Sequence, residues 1–393
     1  MAQRPIFNPE DHDLDKSFRM SKSVDLKGSA CSLPEDSTDK LLKIFKDEEN
    51  ELLAQDQNTM GLLDQPQSIV PQLGENSHIG IRPCNGGFSM IQSTNMSPAL
   101  VDDPYMMGKI ACSSTLGDLY AIGILKCDTI VMQLGLPNKF SDKERDAIAP
   151  LIVQGFKDMA KEAKTDVIAG RTYLNPWCVV GGTTTVIIPP HDIITPDSAI
   201  VGDVLVLTKP LGTSVAVQVH QFLELTDKWN RIKPIAAAED VERAYQEAMY
   251  NMARLNNNAA DTMRKFNAHG ATNVDGYGIL GAAKQLVKNQ RNDVNFVIHN
   301  LPVIGKMSSV AKPFAIQQFS SYGNTFKLTQ GVSPETSGGL LIAFPREQAA
   351  AYCKEIERVD GHTAWIIGIV EKGERKAKVI DKPRVIEVTT KMK

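Results

Sequence analysis

The sequence predicts an α/β (α+β) protein with two domains, and three observations support this fold class. The chain has 393 residues, which is enough for two hydrophobic cores of ordinary size. Segments with the hydrophobic pattern of strands mix with helix-like segments in both halves. A stretch rich in proline and aspartate at residues 189–203 separates the halves, so we place a domain boundary there, between residues 195 and 196.

The overall composition is that of a globular protein that does not bind nucleic acid. The chain is 42% hydrophobic and 23% charged, and its formal net charge is −3, without the basic excess that nucleic-acid binding favours. No apolar run is long enough for a membrane span, and residues 1–10 lack the apolar core of a secretory signal. We therefore expect a cytoplasmic protein without a membrane partner.

The cysteines do not form a metal or disulfide pattern. The sequence contains six of them, without CxxC spacing: Cys31, Cys84, Cys112, Cys127, Cys178 and Cys353. Scattered thiols are typical of a reducing compartment. The last four lie in apolar stretches, so we expect all four to be buried in the packed core.

The first 75 residues are predicted to be a loosely organised N-terminal segment with a small-residue loop at 26–36. That loop reads LKGSACSLPED, and its glycine and serines would let the backbone approach a ligand closely. A lone Cys31 among small residues favours a nucleophile. The residues alone leave three interpretations open: a reactive loop, the remains of one, or a linker.

The next predicted region, 76–195, alternates strands and helices. Strands are predicted at 87–94, 127–136, 165–170 and 177–190, and helices at 104–124 and 141–163. Ser141 and Glu144 form a capping box at the start of the second helix. The third region, 196–393, is predicted to begin with a strand and glycine turn at 203–213. One or two helices follow at 238–266, then strands at 295–302, 338–345 and 364–373, with a helix at 346–357.

Five glycine-rich stretches beside strands are candidate phosphate-binding turns. They lie at residues 168–172, 179–185, 208–213, 272–281 and 334–341, and none is a Walker A loop or a GxGxxG motif. Backbone N–H groups in such turns can bind an anion, although for each stretch alone a structural turn is the better explanation. Together they favour a protein that handles phosphates.

Carboxylates supply the candidate metal ligands. Asp118 lies in an otherwise apolar helix, where an unpaired carboxylate would be costly to bury. Asp102 and Asp103 precede Pro104, and a helix N-cap explains them better than a ligand pair does. The histidines of the chain are isolated from one another and are expected to be surface or core residues.

Ten segments together closely resemble selenophosphate synthetase (selenide, water dikinase), most of all the animal form that lacks selenocysteine. The similarity runs from about Phe7 to Val388 through VDDPYMMGKIAC, LNPW, GDVLVLTKPLGT, NMARLN, FNAHGAT, FVIHNLPV, PETSGGLL, REQAAAYC, AWIIGIVEKG and IDKPRVIEV. The resemblance implies two domains of the aminoimidazole-ribonucleotide-synthetase type. It also implies a homodimer whose N-terminal domains pair into a β-barrel, with ATP and Mg²⁺ in the cleft. The family reaction makes selenophosphate, AMP and phosphate from selenide, ATP and water.

The loop at 26–36 departs from the family pattern. The family's mobile loop carries a Cys or selenocysteine, then Gly, Cys and an essential Lys, and animal paralogues can carry Thr or Arg first. Here Ser29 occupies the nucleophile position, Cys31 matches the second cysteine, and Ser32 replaces the lysine. A serine hydroxyl is a far weaker nucleophile than a thiolate unless a base activates it. Loss of the lysine removes a positive charge from the place where phosphate charge develops.

The metal-ligand positions depart as well. The resemblance implies three Asp ligands for Mg²⁺; Asp118 is retained, the first position becomes Asn76 (or Ser77 if the alignment has no gap), and the third becomes Asn273. An asparagine offers a carbonyl oxygen but no negative charge. Each exchange is expected to weaken Mg²⁺ binding by about 1.5–3 kcal/mol, by analogy with the loss of a charged hydrogen bond. Asp275 is either a substitute ligand or a carboxylate at a helix start.

The nucleotide positions are also changed. Asn95 replaces an ATP-contacting Asp, and the family's nucleotide turn corresponds here to Ala169, Gly170, Arg171 and Thr172. The bulky Arg171 would lie where the nucleotide binds, or it could pair with phosphate and replace lost metal charge.

The sequence therefore predicts an inactive or impaired relative of selenophosphate synthetase that keeps the fold and the dimer surface. ATP and Mg²⁺ binding is expected to be weak or absent, and the partner is expected to be a second copy or an active paralogue. The alternative is an active ATP-dependent selenide dikinase, or a residual ATPase, with rearranged ligands.

Overall fold

The chain folds around two β-sheets, one from residues 79–188 and the other from residues 204–388. The computed structural model describes residues 7–23, 27–31, 37, 40, 79–84, 86–315 and 323–390. The predicted α/β class is confirmed. The division of the chain at residues 75/76 and 195/196 stays a prediction.

Five strands form the first sheet, in the order β1-β2-β5-β3-β4. They are β1 (Ile79–Cys84), β2 (Phe88–Pro98), β3 (Thr129–Pro137), β4 (Asp166–Asn175) and β5 (Val179–Ile188). The pairs are antiparallel except for β3 and β4, which are parallel. Because side chains alternate along a strand, Ser93 and Asn95 of β2 lie on the same face as the buried Ile91.

Two helices cover that face, α1 (Pro104–Ala121) and α2 (Asp142–Glu162). The Asp103 side chain caps α1 by accepting a hydrogen bond from the backbone N–H of Met106 (3.0 Å), which confirms the predicted N-cap. The capping box between Ser141 and Glu144 at the start of α2 is confirmed too. A Cβ at Gly108 would lie 2.0 Å from a backbone oxygen of α2, so this glycine permits the close packing of the two helices.

Six strands form the second sheet, in the order β11-β8-β10-β6-β9-β7. They are β6 (Val204–Leu207), β7 (Gly270–Asn273), β8 (Val294–Ile304), β9 (Leu340–Phe344), β10 (Trp365–Lys372) and β11 (Ala377–Val388). The helices of this half are α3 (Thr213–Phe222), α4 (Thr226–Ile232), α5 (Ala238–Ala253), α6 (Asn257–Lys265), α7 (Gly278–Lys288), α8 (Met307–Ala315) and α9 (Arg346–Asp360). Every residue of β9 is buried, as expected for a strand covered on both faces.

Buried apolar side chains form one continuous cluster through both halves of the molecule. Helix α1 lies at the junction, because it packs against α2 and β2 of the first half and against α5 and β7 of the second. The hydroxyl of Tyr245 on α5 accepts a hydrogen bond from the backbone N–H of Asp102 (3.1 Å), just before α1. The junction therefore carries α1 side chains towards residues of the second sheet.

Two predictions about local structure are wrong. The glycine-rich stretches 168–172 and 179–185 lie inside β4 and β5, which confirms the strands predicted there and contradicts the glycine-rich turns. A Cβ at Gly181 would lie 2.0 Å from the backbone oxygen of Asn95 on β2, so that glycine serves close strand packing. Cys353 is only half-buried on the amphipathic α9, whereas Cys112, Cys127 and Cys178 are buried as predicted.

Among the described residues, none of the helices combines the length and the apolar character that crossing a membrane requires.

Candidate functional site

A cavity with a volume of about 240 Å³ opens where α1 and β2 of the first half meet β7 and α7 of the second. Six of its polar lining residues come from three separate parts of the chain. They are Ser29 and Cys31 from the N-terminal segment, Asn95 and Asp118 from the first half, and Asn273 and Asp275 from the second. The structure thus brings together five residues predicted to be functional, and with them Asp275, for which the sequence left a ligand and a helix-start carboxylate open.

Asp118 faces the cavity from α1. Its carboxylate accepts a hydrogen bond from the hydroxyl of Ser93 on β2 (2.9 Å). This hydrogen bond offsets the cost of burying the carboxylate that the sequence predicted, because the serine hydroxyl stabilises the charge at the cavity edge. Asp118 is therefore held in a fixed direction by its neighbouring strand.

Asn95 and Asp275 meet across the cavity. The side-chain Nδ2 of Asn95 donates to Oδ2 of Asp275 (3.3 Å). Asp275 follows β7 and precedes α7 by three residues, and its backbone oxygen accepts from the N–H of Gly278 (2.8 Å). Asp275 thus starts the turn into a helix, as one interpretation predicted, while its side chain faces the cavity residue Asn95.

Asn273 is the least satisfied polar side chain of the cavity wall. It is 8% exposed, and neither its Oδ1 nor its Nδ2 has a hydrogen-bond partner among the described residues. Its amide packs against α1 at Gly117, where an added Cβ would come within 2.7 Å of Nδ2. A buried polar group without a partner costs about 1–3 kcal/mol. Asn273 therefore offers an uncharged amide that could contact a ligand and that makes no hydrogen bond in the described structure.

The segment 27–31 lies against both halves of the molecule. The backbone N–H of Ser29 donates to the hydroxyl of Thr336 (3.0 Å), and the Lys27 ammonium donates to Gln221 Oε1 on α3 (2.8 Å). Burial raises the pKa of the Cys31 thiol above its usual value, and the nearby Asp275 carboxylate adds to the rise. Cys31 is consequently a protonated thiol at neutral pH, a weak nucleophile.

A group of buried charges lies behind the cavity, in the second half. Nζ of Lys209 donates to the backbone oxygens of Arg254 (2.6 Å) and Ser337 (2.9 Å). Burial lowers the pKa of Lys209 well below its usual value, and the positive charge of Arg254 adds to this. The Arg254 guanidinium pairs with Asp360 and donates to the backbone oxygen of Thr208 (3.2 Å).

Glu335 is the second buried charged centre behind the cavity. Its carboxylate accepts hydrogen bonds from the backbone N–H groups of Gly212 (2.7 Å) and Thr213 (2.9 Å), at the start of α3, and from the Thr213 hydroxyl. Burial raises the pKa of Glu335 to about 7, against the lowering effect of these hydrogen bonds. The side chain therefore occupies the helix N-terminus that the stretch 208–213 could otherwise offer to an anion.

The predicted nucleotide positions on β4 lie outside the cavity within one chain. Ala169, Gly170, Arg171 and Thr172 are all exposed on this edge strand, and none of them lines the cavity. Their assignment to nucleotide binding stays a prediction.

Three other predicted positions, Ser32, Asn76 and Ser77, lie outside the described residues. Within the ranges that the structure does describe, His, Cys, Asp and Glu side chains do not form a group of three that could hold a metal ion. Asp118 and Asp275 are the carboxylates of the cavity lining.

Sequence reasoning missed the roles of Thr336, Glu335 and Lys209. The PETSGG stretch was predicted to be a glycine-rich turn, but the hydrogen bond of Thr336 to the N-terminal segment joins residues more than 300 positions apart. A charged residue inside an apolar strand-and-turn pattern, such as Lys209 after VLVL, was the available signal of a buried polar contact.

Comparison with known proteins places these features in a family. Residues 82–204 match the N-terminal domain of AIR synthase related protein, and residues 201–381 match its C-terminal domain. The chain is 48% identical to selenide, water dikinase 3 of Danio rerio, over 97% of this chain and 88% of that protein. It is 47% identical to selenide, water dikinase 2 of Homo sapiens, over 97% and 87% of the two chains.

Solved structures support the same fold at lower identity. AaThiL complexed with AMPPCP and TMP has a TM-score of 0.54 and 16% identity, covering 86% of this chain and 94% of that one. The hydrogenase maturation protein HypE in complex with ATP has a TM-score of 0.53 and 15% identity, covering 74% and 78%. From its two matched domains, its fold and its identity to these dikinases, the chain belongs to the selenophosphate synthetase (selenide, water dikinase) family.

Proposed function

We propose that this chain is a selenophosphate synthetase-like protein whose catalysis is inactive or strongly impaired. The observation that carries the proposal is the cavity wall, where Ser29, Asn95 and Asn273 present uncharged side chains. The resemblance implies a thiol or selenol at the first position and carboxylates at the other two. The replaced groups therefore lie in one cavity, where they would all affect the same reaction.

The loss of negative charge weakens the case for Mg²⁺. A hard dication that also neutralises ATP phosphates is held by several carboxylate oxygens. Here the cavity lining offers Asp118, already hydrogen-bonded to Ser93, and Asp275, already hydrogen-bonded to Asn95. Asn273 adds only an amide. This donor set does not fit the three-carboxylate site that the resemblance implies, so we assign no catalytic step to a metal ion.

The nucleophile is weakened as well. Ser29 carries a hydroxyl, which needs a base to attack at neutral pH. The neighbouring Cys31 does not compensate, because burial and the Asp275 carboxylate keep its thiol protonated. The segment can therefore occupy the cavity without supplying a reactive sulfur.

Weak nucleotide binding remains part of the proposal. AaThiL and HypE, which share the fold, have been solved with AMPPCP and with ATP, respectively. In this chain Asn95 and the stretch Ala169–Thr172 would contact the nucleotide if it binds as the resemblance implies. The missing carboxylates at positions 95 and 273 would reduce the part of the nucleotide affinity that depends on Mg²⁺.

Partner binding would use exposed apolar side chains of the first sheet. Ile168 and Leu174 on the edge strand β4 and Ile187 on β5 are 61%, 67% and 52% exposed. A second copy of this chain, or an active paralogue in a heterodimer, would cover them. We expect such a complex in the cytoplasm, without nucleic acid or membrane.

One observation favours the second candidate function, an active dikinase or residual ATPase with rearranged ligands. Asp275 lines the same cavity as Asp118 and lies two residues after Asn273, so a carboxylate is present close to the changed position. If Asp275 substitutes for the missing ligand, the chain would bind Mg²⁺ with a different geometry.

Phosphorus NMR of the purified protein with ATP, Mg²⁺ and selenide separates the two candidates. A relative such as the human selenide, water dikinase 2, assayed under the same conditions, gives the reference rate. We expect AMP and selenophosphate far below that rate. Formation of AMP at a comparable rate would overturn the proposal and support the rearranged site.

Restoring the family residues provides the matched variant. The combined change Ser29→Cys, Ser32→Lys, Asn76→Asp, Asn95→Asp and Asn273→Asp is expected to raise turnover and to strengthen the Mg²⁺-dependent thermal shift with ATP. In the unchanged protein, Mg²⁺ is expected to add little to any shift that ATP produces. A strong Mg²⁺ effect that disappears in Asp275→Asn would instead assign the metal to Asp275.

A further inference from the structure

The turn at residues 334–339 directly precedes β9 and contacts the N-terminal segment. The hydroxyl of Thr336 accepts the backbone N–H of Ser29 at 3.0 Å, and this contact is buried. Thr336 itself has no exposed surface. The hydroxyl therefore fixes the backbone of the segment next to Cys31, which lines the cavity.

Packing around Gly28 tightens the same contact. A Cβ at Gly28 would lie 2.5 Å from the Thr336 hydroxyl oxygen and 3.1 Å from a side-chain carbon of Leu100. Gly28 also has a positive φ of 51°, a conformation that favours glycine. The segment thus approaches the turn as closely as its backbone allows.

The turn is itself held rigidly by contacts to the second half and to α1. Glu335 accepts the two N–H groups at the start of α3, and Ser337 Oγ donates to Ser113 Oγ on α1 (3.0 Å). The backbone oxygen of Gly338 accepts from Asn256 Nδ2 (2.9 Å). These bonds fix the turn independently of the N-terminal segment.

The other side of the turn supports the cavity floor. The backbone N–H of Val274 donates to the oxygen of Gly339 (2.9 Å), and the N–H of Glu335 donates to the backbone oxygen of Asp275 (3.3 Å). The segment that carries Cys31 and the wall that carries Asp275 are therefore both fastened to one turn.

We propose that the 334–339 turn positions the segment 27–31 at the cavity, with Thr336 as the positioning residue that holds Ser29 and Cys31 in place. The role concerns where the segment lies, so it holds whether or not the site turns over selenide and ATP. Its test uses the reactivity of Cys31, and it can fail or succeed independently of the proposed loss of catalysis.

The rate at which iodoacetamide modifies Cys31, which is half-buried while the segment lies in place, rises when the segment leaves the turn. Trypsin releases a peptide covering residues 28–40 in which Cys31 is the one cysteine, so mass spectrometry reads this site separately. We expect Thr336→Val, which keeps the shape but removes the hydroxyl, to speed the modification about two- to tenfold, as expected for loss of one buried hydrogen bond that limits local opening. Thr336→Ser, which keeps the hydroxyl, should react like the unchanged protein.

Ser333→Ala is the matched control. Ser333 lies one residue before the turn, and its side chain is also buried. Its hydroxyl donates to the backbone oxygen of Thr325 (2.6 Å) and not to the segment. If Ser333→Ala speeds the modification as much as Thr336→Val does, general loosening explains the effect and the proposal is wrong. An unchanged rate in a folded Thr336→Val protein overturns it as well. The half-buried Cys84 and Cys353 should keep their rates throughout.

The pH profile of the same reaction, compared with that of Ser333→Ala, gives a second readout of the release of Cys31. Release of the segment takes Cys31 away from burial and from Asp275, the two causes that raise its pKa. The modification of Cys31 in Thr336→Val should therefore begin at lower pH than in the unchanged protein, and an unshifted profile contradicts the proposal. Should Thr336→Val not fold, Gly28→Ala pushes the segment off the turn from the other side and must give the same acceleration and shift.

Discussion

The buried charges behind the cavity and the amide of Asn273 on the cavity wall differ in their hydrogen bonding. Behind the cavity, Lys209, Arg254 and Glu335 each bind at least two partners. On the wall, Asn273 is 8% exposed and its amide atoms have no hydrogen-bond partner among the described residues. The first pattern stabilises a fold, and the second is typical of a place built to contact a ligand. The difference agrees with the proposal that the chain keeps the scaffold of the family while its catalysis is impaired.

Removing a charge from the buried group should have the largest effect on stability. Arg254→Met leaves the Asp360 carboxylate, which is mostly buried, without its guanidinium partner. We expect the free energy of unfolding to fall by about 3–5 kcal/mol, as for other broken buried ion pairs. Urea unfolding followed by circular dichroism measures it.

Lys265→Ala provides the matched control for Arg254→Met. It removes an exposed i,i+4 pair with Asp261 on α6, which is worth about 0.5 kcal/mol or less. If the two variants lose similar stability, the buried group does not have the structural weight assigned to it.

Glu335 should give the second-largest effect, and one that depends on pH. In the folded protein burial raises the pKa of Glu335 to about 7, whereas in the unfolded chain it lies near 4.5. The folded state therefore holds an extra proton between these values. The contribution of Glu335 to stability is full below pH 4.5 and is lost as the pH rises through about 7. The loss is about 3 kcal/mol, at about 1.4 kcal/mol for each unit of pKa.

Glu335→Gln removes this titration while keeping an oxygen acceptor for the start of α3. Unfolding free energies of both proteins at pH 5, 6, 7 and 8 should diverge by the stated amount, with the unchanged protein losing stability relative to the variant as the pH rises. Parallel pH curves would show that the carboxyl group is already ionised at pH 5.

The smallest effect is expected at the cavity wall. Asn273→Leu replaces an amide without described partners by an apolar side chain of similar size, so the free energy of unfolding should stay the same or rise by about 1 kcal/mol. Asn251→Leu is the matched change behind the cavity, because its buried amide donates to the Glu247 backbone oxygen and to the Thr390 hydroxyl (both 2.8 Å). That variant should lose about 1–3 kcal/mol. A loss of the same size in Asn273→Leu would contradict the contrast between the two regions.

Local patterns predicted much of the fold because they depend on neighbours in sequence. The Asp103 cap and the Ser141–Glu144 capping box are confirmed, since a cap joins groups three residues apart. The stretches 168–172 and 179–185 were wrongly predicted to be turns, because glycine also permits the close packing of strands that Gly181 shows. Pairing across a sheet depends on residues distant in sequence, so the glycines alone could not distinguish the two uses.

The sequence predicted single residues of the candidate site but not the contacts that bring them together. The sequence by itself determined the family, and it predicted the positions where charged or nucleophilic groups are replaced, since both follow from aligned motifs. Only the tertiary structure decided that Asp275 faces Asn95, that Glu335 fills the start of α3, and that Thr336 holds Ser29. Each of these contacts joins residues more than 100 positions apart. The packing of the two halves around α1 brings them within hydrogen-bond distance, and no local pattern encodes that packing.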